Sequence, residues 1–197
     1  MNYGEIKQNL ISLGFAEDTD YEEYEDLGYT YDSINRAFDL IKQEFPYIAT
    51  YTFDLDADET EPYTVRLDNL DGFLSLAEDT PVLIEREGEG TFVSFSNFIV
   101  KAGTEMIIPP QGFNGTVKIY YEKNPTRVTS DTADTFVPEL PLRVHHLIPL
   151  LAAYYLWLDD DAAKATQYYN MYETTRDDIL QKDNRPDIGI ATGWGEM

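Results

Sequence analysis

The segment VHHLIPLLAAYYLWLDDD, from Val144 to Asp161, is the most apolar run of the chain and decides its fold. It contains both histidines and a proline, and it ends at three consecutive aspartates. Its apolar residues recur at i, i+3, i+4 and i+7, and further apolar side chains lie between them, which predicts an α-helix buried nearly all round. Pro149 lies inside the run and predicts a kink or a broken turn.

The apolar run is too short to cross a membrane. It has fifteen residues from Val144 to Leu158, two of which are histidines. A membrane-spanning helix needs about 20 predominantly apolar residues. The first residues, MNYGEIKQNL, are polar and lack the pattern of a signal peptide. The sequence has no cysteine, which excludes disulfides, thiolate metal sites and cysteine nucleophiles. We therefore expect a soluble, unsecreted protein.

Further helices are predicted at both ends of the chain. Near the N-terminus, apolar residues at spacings of three and four predict a helix that stops at Gly14. A second helix, capped by Thr30 or Asp32, ends before Pro46, because the residue before a proline disfavours the helical region. After the Asp159–Asp161 corner, the same spacing predicts a helix antiparallel to the apolar one, capped by an aspartate of the corner. Five tyrosines on this C-terminal pair of helices are expected to pack mostly between them.

The hydrophobic period changes to two in the middle of the chain. The candidate strands, separated by glycine-containing turns, are YIATYTFDLD, VLIERE, TFVSF, FIVK, EMIIP and TVKIYYEK. Short strands at this spacing predict an antiparallel β-sandwich or a small barrel. The predicted fold class is therefore α+β, in which the N- and C-terminal helices form a helical bundle and the β-region is inserted between them.

This organisation divides the chain into four parts. They are the N-terminal helices of the bundle (1–46), the inserted β-domain (47–124), a connector with the C-terminal helical hairpin of the bundle (125–182), and an extended C-terminal tail (183–197). The tail carries Ile188, Ile190 and Trp194 among glycines. Exposure of apolar side chains to water is unfavourable, so those on an extended terminus are expected to pack against a surface. We expect them either to dock on a partner or to fold back on the bundle of their own subunit.

The chain is strongly acidic, with a formal net charge of −23. The first 61 residues alone carry 16 acidic and 3 basic side chains. Such a surface repels phosphate and disfavours a sequence-reading nucleic-acid binder. A surface that DNA must pass without adhering would have the same character. The alternative is that the negative charge serves only to keep the protein soluble.

No catalytic, metal-binding or cofactor-binding residue is predicted. His145 and His146 are adjacent, so on a helix they point about 100° apart and cannot easily share a metal ion. The acidic run from Asp54 to Val65 superficially looks like a calcium loop, but Glu59 and Val65 stand where an EF-hand needs glycine and glutamate. The sequence also lacks a GxSxG nucleophile elbow and a phosphate-binding glycine loop. We expect a protein that is not an enzyme.

Two other function classes stay open at this point. One is a carbohydrate-binding or adhesion module carried by the β-domain, which the aromatic content alone suggests. The other is a small hydrolase that uses His145 or His146, although no recognised motif accompanies either residue.

The order of these features resembles the head-to-tail adaptor proteins of tailed bacteriophages, also called connector or head-completion proteins. The resemblance covers nearly the whole chain. It rests on the helix MNYGEIKQNLISLGF, the helix-to-strand segment YDSINRAFDLIKQEFPYIATYTF and, after a β-rich insertion, the hairpin PELPLRVHHLIPLLAAYYLWLDDDAAKATQYYNMYE.

The resemblance implies a structural virion protein without cofactors and without a membrane. Such adaptors form a homo-oligomeric ring, typically a dodecamer, which binds the portal protein of the capsid and offers a surface to stopper or tail proteins. DNA passes through the lumen without sequence-specific binding. The expected location is the virion neck, after assembly in the host cytoplasm. In this setting the portal or a neighbouring subunit would accept Ile188, Ile190 and Trp194.

Overall fold

The structure, a computed structural model of the chain, describes residues 1–13, 28–78 and 80–183. Across these residues it contains four α-helices and two antiparallel sheets, which confirms the predicted α+β class. The chain divides into two compact units. The first comprises Met1–Ile41, Val128–Val137 and Leu142–Met197, and the second comprises Lys42–Arg127 and Pro138–Pro141.

The helices lie at the two ends of the chain, as the apolar spacing predicts. They are α1 (Tyr3–Ser12), α2 (Tyr29–Glu44), α3 (Leu147–Trp157) and α4 (Ala162–Asp183). Helix α2 begins at Tyr29, so Thr30 and Asp32 lie in its first turn and the predicted cap is wrong. Helix α3 packs against α4 and against α1.

Helix α1 begins with a reciprocal cap. Asn2 Oδ1 accepts from the Glu5 N–H at 2.8 Å, and Glu5 Oε2 accepts from the Asn2 N–H at 2.8 Å. This capping box satisfies two N–H groups that the helix itself leaves without partners. Tyr3, Ile6 and Leu10, three of the residues whose spacing predicts the helix, are buried.

Helix α3 starts later than the apolar run suggests. A 3₁₀ turn, Leu142–Val144, precedes it, and His146 occupies the position before the first helical residue. Pro149 therefore lies in the first turn, where its missing N–H removes no helical hydrogen bond. The helix predicted from Val144 is thus interrupted in the turn ahead of Pro149, in agreement with the predicted broken turn, and α3 itself runs from Leu147 to Trp157 without a break. Most of its side chains are buried, as expected.

Helix α4 follows after the aspartate corner. Asp161 Oδ1 accepts from the N–H groups of Ala163 at 3.0 Å and Lys164 at 3.1 Å, which confirms an aspartate cap. On the helix face that meets the rest of this unit, Ala165, Tyr172 and Ile179 are buried.

The β-strands all lie in the second unit and pair in antiparallel fashion. They are β1 (Tyr47–Leu55), β2 (Tyr63–Arg66), β3 (Phe73–Leu76), β4 (Val82–Arg86), β5 (Val93–Ser94), β6 (Ile99–Lys101), β7 (Glu105–Ile108) and β8 (Gly115–Lys123). One sheet has the order β1-β8-β4-β5, with β3 also paired to β8, and the other has the order β2-β7-β6. Strands β2 and β3 are absent from the sequence-based candidates, whereas the other six are among them.

Both sheets contribute to one apolar cluster. Its members are Leu55, Val65, Leu67, Val82, Ile84, Met106, Ile108, Val117 and Ile119. Strand β8 shows the expected alternation, because Val117, Ile119, Tyr121 and Lys123 are buried and the residues between them are half-buried. Among the described strands neither sheet closes on itself, so the predicted small barrel does not form. The packing of the two sheets as a sandwich stays a prediction.

Candidate docking surfaces

The two histidines have different surroundings. His145 is buried, and its Nδ1 lies 3.3 Å from the N-terminal nitrogen of Met1 and 3.2 Å from the Met1 carbonyl oxygen. His145 thereby holds the start of the chain against the segment that leads into α3. His146 is exposed overall, but partial burial of its ring, together with the positive charges of Lys182 and His145, lowers its pKa.

The structure gathers no metal-ligating cluster in the described parts of the chain. In the acidic loop between β1 and β2, carboxylates bind the backbone of the loop itself. Asp56 Oδ1 accepts from the Asp58 N–H at 2.9 Å, and Glu59 Oε1 accepts from the N–H groups of Thr60 at 3.1 Å and Glu61 at 3.0 Å. Over the same described ranges, no helix has the length and apolar character that crossing a membrane requires.

The tyrosines of the C-terminal hairpin pack between its helices. The ring centroids of Tyr154 and Tyr169 are 5.1 Å apart, and those of Tyr169 and Tyr172 are 5.9 Å apart. The Tyr168 hydroxyl donates to the carbonyl oxygen of Leu13 at the end of α1. Burial raises the pKa values of Tyr155, Tyr168 and Tyr169. These contacts agree with the packing role expected for the cluster.

The outward face of α4 is the first candidate docking surface. It is formed by seven side chains without charge, which are Ala163, Thr166, Gln167, Asn170, Met171, Thr174 and Thr175. The hydroxyls of Thr166, Thr174 and Thr175 donate to the carbonyl oxygens four residues earlier at 2.7, 2.9 and 2.7 Å. Because these hydroxyls already donate within the helix, a neighbouring surface need not supply acceptors for them, whereas Gln167 and Asn170 on the same face call for polar partners.

A second candidate surface lies in the β-unit. Val93, Ile99 and Val100 are exposed on two edge strands that follow one another in the chain, β5 of one sheet and β6 of the other. The sequence predicts these strands but not the exposure of their apolar side chains, which depends on tertiary packing. For the α4 face a signal exists in the sequence, because Ala165–Tyr172 is uncharged in a chain of which 26% is charged.

The predicted docking residues of the tail, Ile188, Ile190 and Trp194, lie outside the described residues. Their role stays a prediction.

The sequence matches the SU10 adaptor protein family over residues 1–191. The chain belongs to this family. The SU10 adaptors are a family of phage head–tail adaptor proteins, so the resemblance seen in the sequence is confirmed. No curated protein matches the chain.

Membership in the SU10 adaptor family indicates a structural role in the phage virion. It implies interaction with other head and tail proteins and a location in the virion neck. A structural adaptor of this kind is not normally an enzyme. The carbohydrate-binding alternative receives no support from the family.

Proposed function

We propose that the protein forms a ring that joins the portal of the capsid to the tail or a stopper, with the genome passing through its lumen. The observation that carries this proposal is the family match over residues 1–191. A ring of twelve copies, assembled in the host cytoplasm, is the form that the resemblance to adaptors implies. The portal protein and the stopper or tail proteins are its partners.

The charge distribution supports a ring of this kind. Copies with a net charge of −23 repel one another, so we expect contacts between subunits to form on surfaces without acidic side chains. The uncharged outer face of α4 is such a surface. Acidic residues that face the lumen would give passing DNA no site of attachment.

The tail supplies a docking element in this proposal. Its residues Ile188, Ile190 and Trp194 would act as side-chain anchors on the portal or on a neighbouring subunit. The glycines between them would permit close approach of the backbones, as when an extended segment adds to a sheet edge.

Electron microscopy of the purified protein mixed with portal rings of the same phage tests the proposal. We expect an additional ring-shaped layer at one end of the portal. The control is the portal mixed with an unrelated protein of similar size and acidity. Portal rings that gain no layer at saturating protein concentration, together with heads that join tails in the absence of the protein, would overturn it.

A further inference from the structure

The segment Thr91–Lys101, which we name the edge segment, contains strands β5 and β6. Strand β5 ends the sheet order β1-β8-β4-β5, and β6 ends the order β2-β7-β6. In the described part of the chain no strand pairs with the outer side of either. Open strand edges present N–H and C=O groups that another chain can use, and natural proteins protect them unless they serve as an interface.

The edge segment is held in place and displays apolar side chains. Phe95 and Phe98 pack against the apolar cluster of the β-unit, and the Phe95 N–H donates to the Val82 carbonyl oxygen at 2.9 Å. The side chains that remain outside are Val93 (52% exposed), Ile99 (63%) and Val100 (37%). A positioned segment with exposed aliphatic side chains has the character of a docking surface.

The surroundings of the edge segment in the sequence are almost free of acid. Glu105 is the only acidic residue between Glu89 and Glu122, although the chain has 37 acidic residues. Lys101 ends the segment, and the ammonium of Lys118 lies 3.8 Å from the ring centroid of Phe92. Copies with a net charge of −23 repel one another, so a stretch almost free of carboxylates is a place where a second copy can approach.

A complementary edge exists on the opposite side of the same sheet. Strand β1 is the other end of the order β1-β8-β4-β5, and among the described residues only β8 pairs with it. Its first seven residues, Tyr47–Phe53, contain no acid, and Ile48 (42% exposed) and Tyr51 (38%) are open.

We infer that the edge segment of one copy pairs with the β1 edge of a second copy, so that the five-stranded sheet continues from subunit to subunit. The two edges are different surfaces, and contacts of this head-to-tail kind generate closed rings when the rotation between copies permits it. The inference rests on the proposed ring and identifies the subunit contact within it.

Cysteine pairing tests the contact directly, because the chain has no cysteine of its own. We expect a mixture of Thr50→Cys and Ser94→Cys copies, incubated with portal rings under mild oxidation, to form a mixed disulfide dimer. A mixture of Thr50→Cys and Thr60→Cys copies, whose second site lies on the exposed β1–β2 loop, should not. A disulfide between Ser94→Cys and Ala191→Cys instead would show that the tail occupies the edge segment, and would overturn the inference.

A charge substitution gives a second readout. Val93→Glu, on β5, should weaken association between copies, measured by sedimentation, by at least about tenfold, the loss expected when one anchor residue fails. Leu74→Glu adds the same charge at a side chain that is equally exposed (52%) in the same unit, and it should leave association unchanged. Circular dichroism checks that both variants fold, and if Val93→Glu does not fold, the cysteine pairs decide.

The outcomes separate this inference from the proposed function. Portal-bound rings assembled from the mixed Thr50→Cys and Ser94→Cys copies that form no mixed disulfide would overturn the sheet contact and leave the adaptor ring standing. The disulfide in self-associated protein that never binds portal would support the sheet contact and contradict the proposed function.

Discussion

Asn35 and Val128 exchange two hydrogen bonds inside the first unit. Asn35 Nδ2 donates to the Val128 carbonyl oxygen at 2.9 Å, and the Val128 N–H donates to Asn35 Oδ1 at 2.9 Å. Both residues are buried. The amide side chain thus pairs with the backbone of the connector as a neighbouring strand would, and it fixes the returning chain against α2.

Replacing Asn35 with alanine should destabilise the protein. The change leaves a buried N–H and a buried carbonyl oxygen without partners, and we expect a loss of about 1–3 kcal/mol in the free energy of unfolding. Asn35→Asp should cost at least as much at neutral pH, because a carboxylate would face the Val128 carbonyl oxygen. Urea unfolding measures both. Asn170→Ala, at an exposed amide on α4, is the control and should change stability by less than about 0.5 kcal/mol. Equal effects at the two sites would refute the role of the pair.

The local sequence predicts those helices and strands whose own side chains show the apolar period of the element. The apolar spacing of α1 and the alternation of β8 are of this kind, and burial of Ile6, Leu10, Val117 and Ile119 follows it. Length does not distinguish strands β2 and β3 from the predicted ones, because β5 and β6 are shorter still, but β2 and β3 lie among acidic residues and their hydrogen-bond partners are on β7 and β8, far along the chain. Such strands owe their form to tertiary pairing, which the local pattern does not contain.

The later start of α3 has a similar cause. Val144 is apolar and buried, so in the sequence it looks like the first residue of the apolar stripe of α3. In the structure it belongs to the 3₁₀ turn before the helix. The docking surface of the β-unit is beyond sequence reasoning for a related reason. Whether Val93 and Ile99 are exposed depends on which neighbouring side chains pack into the core, and here these are Phe95 and Phe98.

An ion cluster in the second unit gives a prediction for pH dependence. Lys123 is buried at the end of β8 and donates to Asp71 and, at 2.6 Å, to Glu139 Oε1. Glu139 also accepts from the Thr126 N–H and hydroxyl at 3.0 and 2.8 Å. Burial alone would raise the pKa of Glu139, but the hydrogen bonds from Lys123 and Thr126 outweigh it, and the pKa is lowered.

A carboxyl whose pKa is lowered by folding contributes stability above its ordinary pKa, and that contribution is lost as pH falls through the folded value. Glu139→Gln should therefore cost about 1–2 kcal/mol in the free energy of unfolding at pH 7. The difference from wild type should shrink as the pH falls below the ordinary glutamate pKa of about 4.5, with urea unfolding at pH 7 and below pH 4.5 as the measurement. Glu61→Gln, on an exposed loop, is the matched control. A difference that does not change with pH would contradict this account.

The core of the helical hairpin makes a simpler prediction. Leu151 is fully buried on α3, so Leu151→Ala should lower the free energy of unfolding by about 2–5 kcal/mol, as large-to-small changes in a core do. Leu142→Ala, at a side chain 76% exposed, should have an effect within about 0.5 kcal/mol. Thermal and urea unfolding of the two variants compare them. If both leucines gave the same small loss, α3 would not be part of a core.

The predicted insertion of the β-domain leads to an excision experiment. Replacing residues 49–124 with a short linker should leave a helical remnant, because the helices at the two ends carry their own apolar faces. Far-ultraviolet circular dichroism and a cooperative thermal transition measure the outcome. The isolated segment 144–183 serves as the comparison for helix content without α1 and α2. A random-coil spectrum of the excised protein would show that the helices depend on the β-region.

Truncation after Lys182 separates the two hypotheses for the tail. If Ile188, Ile190 and Trp194 dock on the portal, the truncated protein should keep its thermal stability and lose capture by portal rings, because anchors of the interface are removed while the core is unchanged. The triple substitution of these residues by serine is the control for length. If they fold back on their own subunit, truncation should instead lower the melting temperature. Heads that join tails normally with truncated protein would reject the docking role, and differential scanning fluorimetry alongside a portal pull-down distinguishes the three results.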